Sequence, residues 1–244
     1  MLSSGRLAQR LAWVTGAGSG IGEQTAIALA SQGARVVLTG RRIGELERVA
    51  DKIRANAGEA WIIPGDLAEG PTVRRIVGEI TALGRLDIVV NNVGVNIPER
   101  SWRELRPDTV EFMIHTNLTI GFQVAAAALD VMRDRGGLGL LIHMASWAGR
   151  YVAERSGAAY TASKHGLVAM SRSINLEENG TGIRSSVICP ADVATQFLSQ
   201  RPIPPTDAEM QGFLQPSDLA DLIVYIATLP KHVRIDEVVL TSAG

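Results

Sequence analysis

The chain has 244 residues, 46% of them hydrophobic and 20% charged, with a formal net charge of −1. That composition suits a globular protein with a large core, and it gives no electrostatic case for nucleic acid or an acidic membrane as partner. A lone cysteine, Cys189, excludes an internal disulfide; with no signal-like start and no apolar run long enough to cross a bilayer, the expectation is a cytoplasmic protein off the membrane.

Apolar runs and helical patterns alternate along the chain. LAWVT (11–15) reads as a buried strand, and IGEQTAIALASQG after it as a helix. RVVLTG (35–40) is a second strand followed by the helical ELERVADKIRANAG. AWIIPGD (60–66) is a third, with TVRRIVGEITALG behind it, and LDIVVNN (86–92) a fourth. A long helical region covers roughly 101–134, and LGLLIHMAS (138–146) is a fifth strand. A helix runs from about 158 to 179, IRSSVICP (183–190) is a sixth strand and DEVVLTS (236–242) a seventh. Apolar strands separated by helices predict an α/β fold: a Rossmann-like, doubly wound parallel sheet of about seven strands with helices on both faces. No linker or repeat divides the chain, so residues 1–244 read as one dinucleotide-binding and catalytic domain. Residues 192–215 break the alternation and hold three close prolines, which suits a lid over a site better than continuous helix.

The turn TGAGSGIG (15–22) joins the first strand to the first helix. Gly16, Gly20 and Gly22 permit a tight turn, and the helix start offers unpaired N–H groups to a phosphate. Ile21 stands where the G-x-G-x-x-G pattern ends, so the spacing here is G-x-x-x-G-x-G. In VVLTGRR (36–42), the position that carries Asp or Glu in NAD-preferring dinucleotide folds falls near Gly40. Arg41 and Arg42 follow it, and guanidinium forks suit a phosphate where a carboxylate would repel one. This predicts NADP, with NAD the alternative. AAYTASKHG sets Tyr160 and Lys164 one helical turn apart. Alone, that pair would be a half-exposed phenol beside a solvated ammonium.

The ordered set of motifs resembles the short-chain dehydrogenase/reductase family over nearly the whole chain. The glycine loop with Thr15, the GDL of Asp66, the NNVG of Asn91 to Gly94, the asparagine of HTNLTIGF, the serine of HMASWAG and the Y-x-x-x-K pair carry the resemblance. It implies a catalytic set of Asn117, Ser146, Tyr160 and Lys164. It implies cofactor contacts at Gly16, Ser19, Gly20, Ile21, Gly22, Arg41, Arg42, Asp66, Leu67, Asn92, Gly94, Tyr160, Lys164, Pro190, Val193 and Thr195, with Asp66 capping the adenine pocket. The implied reaction is hydride transfer between NADP(H) and a small alcohol or carbonyl. Tyr160 would be the acid/base, its pKa lowered by Lys164 together with an oxidised nicotinamide ring; a lowering of about three units needs roughly 4 kcal/mol of differential stabilisation. Ser146 would bond the substrate oxygen, and Asn117 would hold a water linking Lys164 to solvent. The chain departs from the family at Ala191, where a glycine is usual, and in its VVLTSAG ending.

Cys189 reads as a buried strand thiol, and the four histidines lack ligand spacing, so no metal is expected. The substrate pocket is expected within 94–100, 147–154 and 192–210, including Asn96, Trp147, Tyr151, Glu154 and Phe197, with Trp102 just beyond. The helical regions 101–134 and 158–179, with alanine-rich 124–128 for close approach, are expected to pair in a homodimer or homotetramer. Competing readings are a catalytically silent dinucleotide sensor or scaffold, an NAD-dependent dehydrogenase of the same family, and a sugar-nucleotide epimerase, for which 244 residues leave little room.

Overall fold

In the computed structural model, residues 5–243 are described. The strands are β1 Leu11–Thr15, β2 Arg35–Thr39, β3 Glu59–Ile62, β4 Leu86–Asn91, β5 Leu140–Met144, β6 Arg184–Pro190 and β7 Glu237–Leu240. The helices are α1 Gly20–Ser31, α2 Ile43–Ala55, α3 Gly70–Leu83, α4 Pro107–Ile114, α5 Ile120–Asp134, α6 Ala158–Glu177, α7 Asp207–Gln211 and α8 Pro216–Ala227. All strand pairs are parallel, in the order β3-β2-β1-β4-β5-β6-β7. This is the Rossmann-like α/β sheet that the alternation predicts.

Successive strand residues point to opposite faces, and both faces are apolar. From β1, Leu11 and Trp13 join a core with α3, α5 and α6, while Ala12 and Val14 join one with α1, α2 and α8. That two-sided burial explains why the strands read as continuous apolar runs rather than alternating ones. From β3 at the edge, the chain returns to place β4 beside β1 on the side away from β2. The order therefore reverses at the β1–β4 junction, where open α/β sheets form a crevice beyond the strand ends.

The strand cores were legible, but several ends are shorter than the apolar runs. The run 60–66 yields a strand only to Ile62 because Pro64 and Gly65 turn the chain toward Asp66. The helical region expected from 101 starts at Pro107; 101–104 form turns. From there α4 continues through a π-helical turn, His115–Thr119, into α5. By length and composition this 107–134 span is the one described helix that could cross a bilayer, at a mean hydropathy of 1.3, where none was expected. Half of that window is buried inside the protein. Residues 192–215 hold a 3-10 segment, Gln196–Gln200, and the short α7, with no continuous helix.

Candidate active site

One cleft of about 780 Å³ runs along the C-terminal ends of the strands. At one end lie Ser19, Arg41, Arg42 and Asp66, and at the other Ser146, Tyr160, Phe197 and Arg201. The glycine loop forms its floor near β1. Ser19 precedes α1 in extended conformation, and its side chain makes no capping bond, so the first N–H groups of α1 are not consumed by the helix's own cap. Gly20 has φ +55°, a left-handed conformation that a side chain disfavours. A Cβ on Gly22 would come within 2.2 Å of the Gly16 carbonyl oxygen, so that glycine serves packing; it does not line the cleft. Thr15 and Asn92 brace the loop. The Asn92 N–H donates to Thr15 Oγ1 at 2.9 Å, and its side-chain amide to the carbonyls of Thr15 and Gly16.

Beyond β2, Arg42 donates to Ser19 Oγ at 3.4 Å, and Arg41 lies 3.9 Å from the Asp66 carboxylate. Arg41 is 73% exposed at its side chain, so its weak pairing leaves it available to a stronger anion. Asp66 also accepts from the Ala68 N–H at 3.0 Å. Leu67, Gly94, Pro190, Val193 and Thr195 line the same cleft, as do Gly16, Gly20 and Ile21.

Ser146 follows β5 and opens the 3-10 turn Trp147–Gly149, where its Oγ accepts from the Ala148 N–H at 3.1 Å. Its own O–H remains the donor for a partner in the cleft. Tyr160 and Lys164 lie on the first turns of α6, buried. Lys164 Nζ donates to the Met144 carbonyl at 2.9 Å and lies 5.6 Å from the centre of the Tyr160 ring. Burial pushes the Tyr160 phenol up to about 12, against the pull of Ser146, Arg100 and Arg201. Burial pushes Lys164 down to about 8. The protein alone thus moves the phenol opposite to the expected direction, because desolvation of the phenolate outweighs every nearby donor.

Asn117 does not line the cleft. It sits in the π-helical turn, where its Oδ1 accepts from the Val95 N–H at 2.7 Å and its Nδ2 donates to the Val95 carbonyl at 2.9 Å. A Cβ on Gly94 would meet Lys164 Nζ at 3.2 Å and Asn117 Oδ1 at 3.3 Å, so all three residues crowd one point. Ala191 lines the cleft with a backbone outside the left-handed region and donates its N–H to the Leu240 carbonyl at 2.8 Å. The family's glycine can therefore be an alanine here without strain. Cys189 is fully buried, and burial raises its thiol to about 11, as suits an inert strand residue.

Of the expected pocket residues, Asn96, Trp147 and Phe197 line the cleft. Trp102, Tyr151 and Glu154 do not; Tyr151 stacks instead on the outside of Trp147, 4.5 Å between ring centres. Arg100, Asp192 and Arg201 line the cleft too, inside the expected ranges 94–100 and 192–210 although the sequence singled none of them out; Arg155, one residue past 147–154, and Arg48 with Glu23 near the other end lie outside those ranges. Arginines in loop sequences such as NIPER and SQRP carry no periodic signal, so only the tertiary fold brings them together.

A short chain dehydrogenase family model matches residues 10–203. The chain belongs to the short-chain dehydrogenase family. Members of this family are oxidoreductases that use NAD(P). An uncharacterized oxidoreductase of Staphylococcus aureus (strain MRSA252) is 32% identical over 233 residues, covering 95% of this chain and 96% of its own. Among solved structures, an alcohol dehydrogenase from the archaeon Thermococcus sibiricus, complexed with 5-hydroxy-NADP, is 28% identical with a TM-score of 0.85, covering 96% of this chain and 97% of that one. A metagenomic short-chain oxidoreductase in complex with NADP is 31% identical with a TM-score of 0.83 and the same coverage.

Proposed function

We propose that this short-chain dehydrogenase transfers a hydride between NADP(H) and a small alcohol or carbonyl, as a single catalytic domain. The observation that carries the reading is one continuous cleft with a phosphate-suited end, Ser19, Arg41 and Arg42, and a proton-handling end, Ser146, Tyr160 and Lys164. The solved relatives carrying NADP or its derivative support the cofactor.

The residues present fit a phosphorylated dinucleotide. The uncapped start of α1 and the left-handed Gly20 suit a pyrophosphate, and Arg41 and Arg42 suit a further phosphate. Bound there, the nicotinamide would supply or accept the hydride. Tyr160 then donates a proton to the carbonyl oxygen, or takes one from the hydroxyl, and the Ser146 O–H bonds the same oxygen as charge develops on it. With its ammonium retained below about pH 8, Lys164 holds ribose hydroxyls and favours the phenolate. Asn117 ties Val95 in place and holds a water that passes the proton toward solvent. Residues 192–215 close over the substrate as a lid.

A substrate panel followed by absorbance of the reduced cofactor, with NADP(H) and NAD(H), tests the reading. Tyr160→Phe should lower turnover at least a hundredfold while NADPH still binds within a few-fold of wild type. Wild-type cofactor binding without any turnover would favour the silent sensor instead.

A further inference from the structure

The substrate end of the cleft carries more positive charge than the reaction itself requires. Arg100, Arg155 and Arg201 line it together with Tyr160, against one lining carboxylate at that end, Asp192. Asp192 is shared: its Oδ2 accepts from Arg155 at 2.9 Å, and its Oδ1 pairs with Arg201. Arg100 is the unusual member. It is 7% exposed, yet no carboxylate lies within ion-pair distance of it among the described residues. Glu99, the neighbouring acid, is exposed to solvent.

Arg100 instead donates to three main-chain carbonyls: Nε to Ile97 at 2.6 Å, one terminal nitrogen to Arg155 at 3.2 Å and the other to Gln200. Each terminal nitrogen keeps a second hydrogen without a protein acceptor among the described residues. Carbonyl dipoles solvate the guanidinium partly, but its full charge stays buried, and a buried cation without a counterion is costly. A guanidinium does not escape that cost by losing its proton near neutrality. Burial and Arg201 both press its pKa down, which marks the same imbalance. One monoanion at this end would supply the missing counterion.

We propose that the substrate is a hydroxy acid or its oxo acid, its carboxylate held by Arg100 with Arg201 and Arg155 while its hydroxyl or carbonyl faces Tyr160 and Ser146. This rests on the hydride-transfer reading above. In the oxidation direction the carbinol C–H bond breaks and its electron pair leaves as hydride to NADP+, giving NADPH. The O–H proton goes to Tyr160 and then to solvent, and the hydroxy acid becomes the oxo acid. Arg201 and Gln200 belong to the 192–215 segment, so the carboxylate would also draw that segment onto the site. These arginines are substrate-positioning residues.

The test uses the intact protein with NADP+ and four-carbon 2-, 3- and 4-hydroxy acids, their methyl esters and a phosphate monoester of similar size. At least one acid should exceed its ester at least tenfold in kcat/KM. Arg201→Gln should raise the acid's KM tenfold or more with kcat within a few-fold, and should lower kcat/KM for the ester by a clearly smaller factor than for the acid. Arg100→Lys, which keeps the charge, should retain more acid activity than Arg100→Gln. Calorimetric titration of the NADP+-loaded protein with the corresponding oxo acids reads binding without turnover, and Arg201→Gln should weaken it by a similar factor. Esters turned over as well as acids, a preference for the phosphate ester, or an Arg201→Gln loss equal for acid and ester would overturn the proposal while leaving hydride transfer intact. Oxo-acid binding with no turnover of any compound would overturn the hydride-transfer reading and retain the anion site. Neither binding nor turnover of any acid, with neutral alcohols oxidised, would overturn the acid-substrate proposal and leave hydride transfer standing.

Discussion

Tyr160 and Lys164 are displaced in opposite directions by one cause. Both are buried, and burial favours the neutral form of each, raising the phenol to about 12 and lowering the ammonium to about 8. A phenol held that high is a poor base near neutrality, so on the proposed reading a bound nicotinamide cation and a charged Lys164 would have to reverse the shift before oxidation could proceed. Asn117 belongs to the same group at one remove. Because its amide is spent on Val95, Asn117→Ala should loosen the Gly94–Val95 loop beyond β4 as well as any water relay. Turnover should fall about tenfold, less than for Tyr160→Phe, with a smaller loss of NADPH affinity; a loss in rate equal to that of Tyr160→Phe would refute the supporting role. At the other end of the cleft, Arg41 is exposed and only loosely paired with Asp66. Arg41→Ala should weaken NADPH by about 1.5–3 kcal/mol, the scale of a hydrogen bond to a charged group, and leave NADH nearly unchanged. Calorimetry with both cofactors decides this, and equal losses would remove Arg41 from the phosphate site.

Between elements, the most specific contact near the cofactor end is one that the sequence hides. Glu23, in the first turn of α1, accepts from Arg48 at 2.6 and 2.7 Å and from Lys52 at 2.9 Å, and Arg48 also donates to the Gly18 carbonyl at 3.2 Å. The clamp ties α2 to the glycine loop and holds the Glu23 carboxyl at about 2, chiefly through Arg48. A depressed carboxyl stabilises the fold fully above its ordinary value near 4.5, and that gain is lost as pH falls from there through about 2. Glu23→Gln should cost roughly 1–2 kcal/mol at pH 7, because both cations are half-exposed and screened. In urea unfolding the gap between wild type and variant should close as pH drops from 5 to 2.5; a gap constant over that range would refute the linkage. Nothing in GEQTA marks Glu23 as paired, since its partners lie 25 and 29 residues away. By contrast, β1, the glycine loop and the start of α6 were legible because their signals are local: an apolar run, glycines at fixed offsets, a Y-x-x-x-K pair on one turn. The alanine-rich run 124–128 is a local signal with two readings. Ala125 and Ala128 join Val124 and Leu129 in the core, and Ala126 is the exposed member. A small-residue run reads the same whether it packs against its own sheet or a partner.

At the scale of the whole molecule, the helices on the α5 side of the sheet still present unpartnered apolar surface. Phe122 is 51% exposed on α5 and Leu176 81% exposed near the end of α6, while Phe112 on α4, equally exposed, lines the cleft. Large apolar side chains scattered singly on a surface need no explanation, but several on neighbouring helices call for a cover. The 107–134 span makes the same point from composition, since it is apolar enough for a membrane while only half of its window is buried by its own chain. A second copy of this chain covers such a face without any new chemistry, because a two-fold interface presents the same patch on both sides. The expected outcome is a homodimer or homotetramer, assembled through Phe122 of α5 rather than through the alanines. Light scattering at micromolar concentration should give a mass of at least twice the 26.0 kDa chain. Phe122→Ser, outside the cleft and outside the core, should shift the mass toward the monomer while circular dichroism stays unchanged. A wild-type mass equal to one chain would refute the assembly, and an unshifted Phe122→Ser variant would move the interface to another face of the sheet.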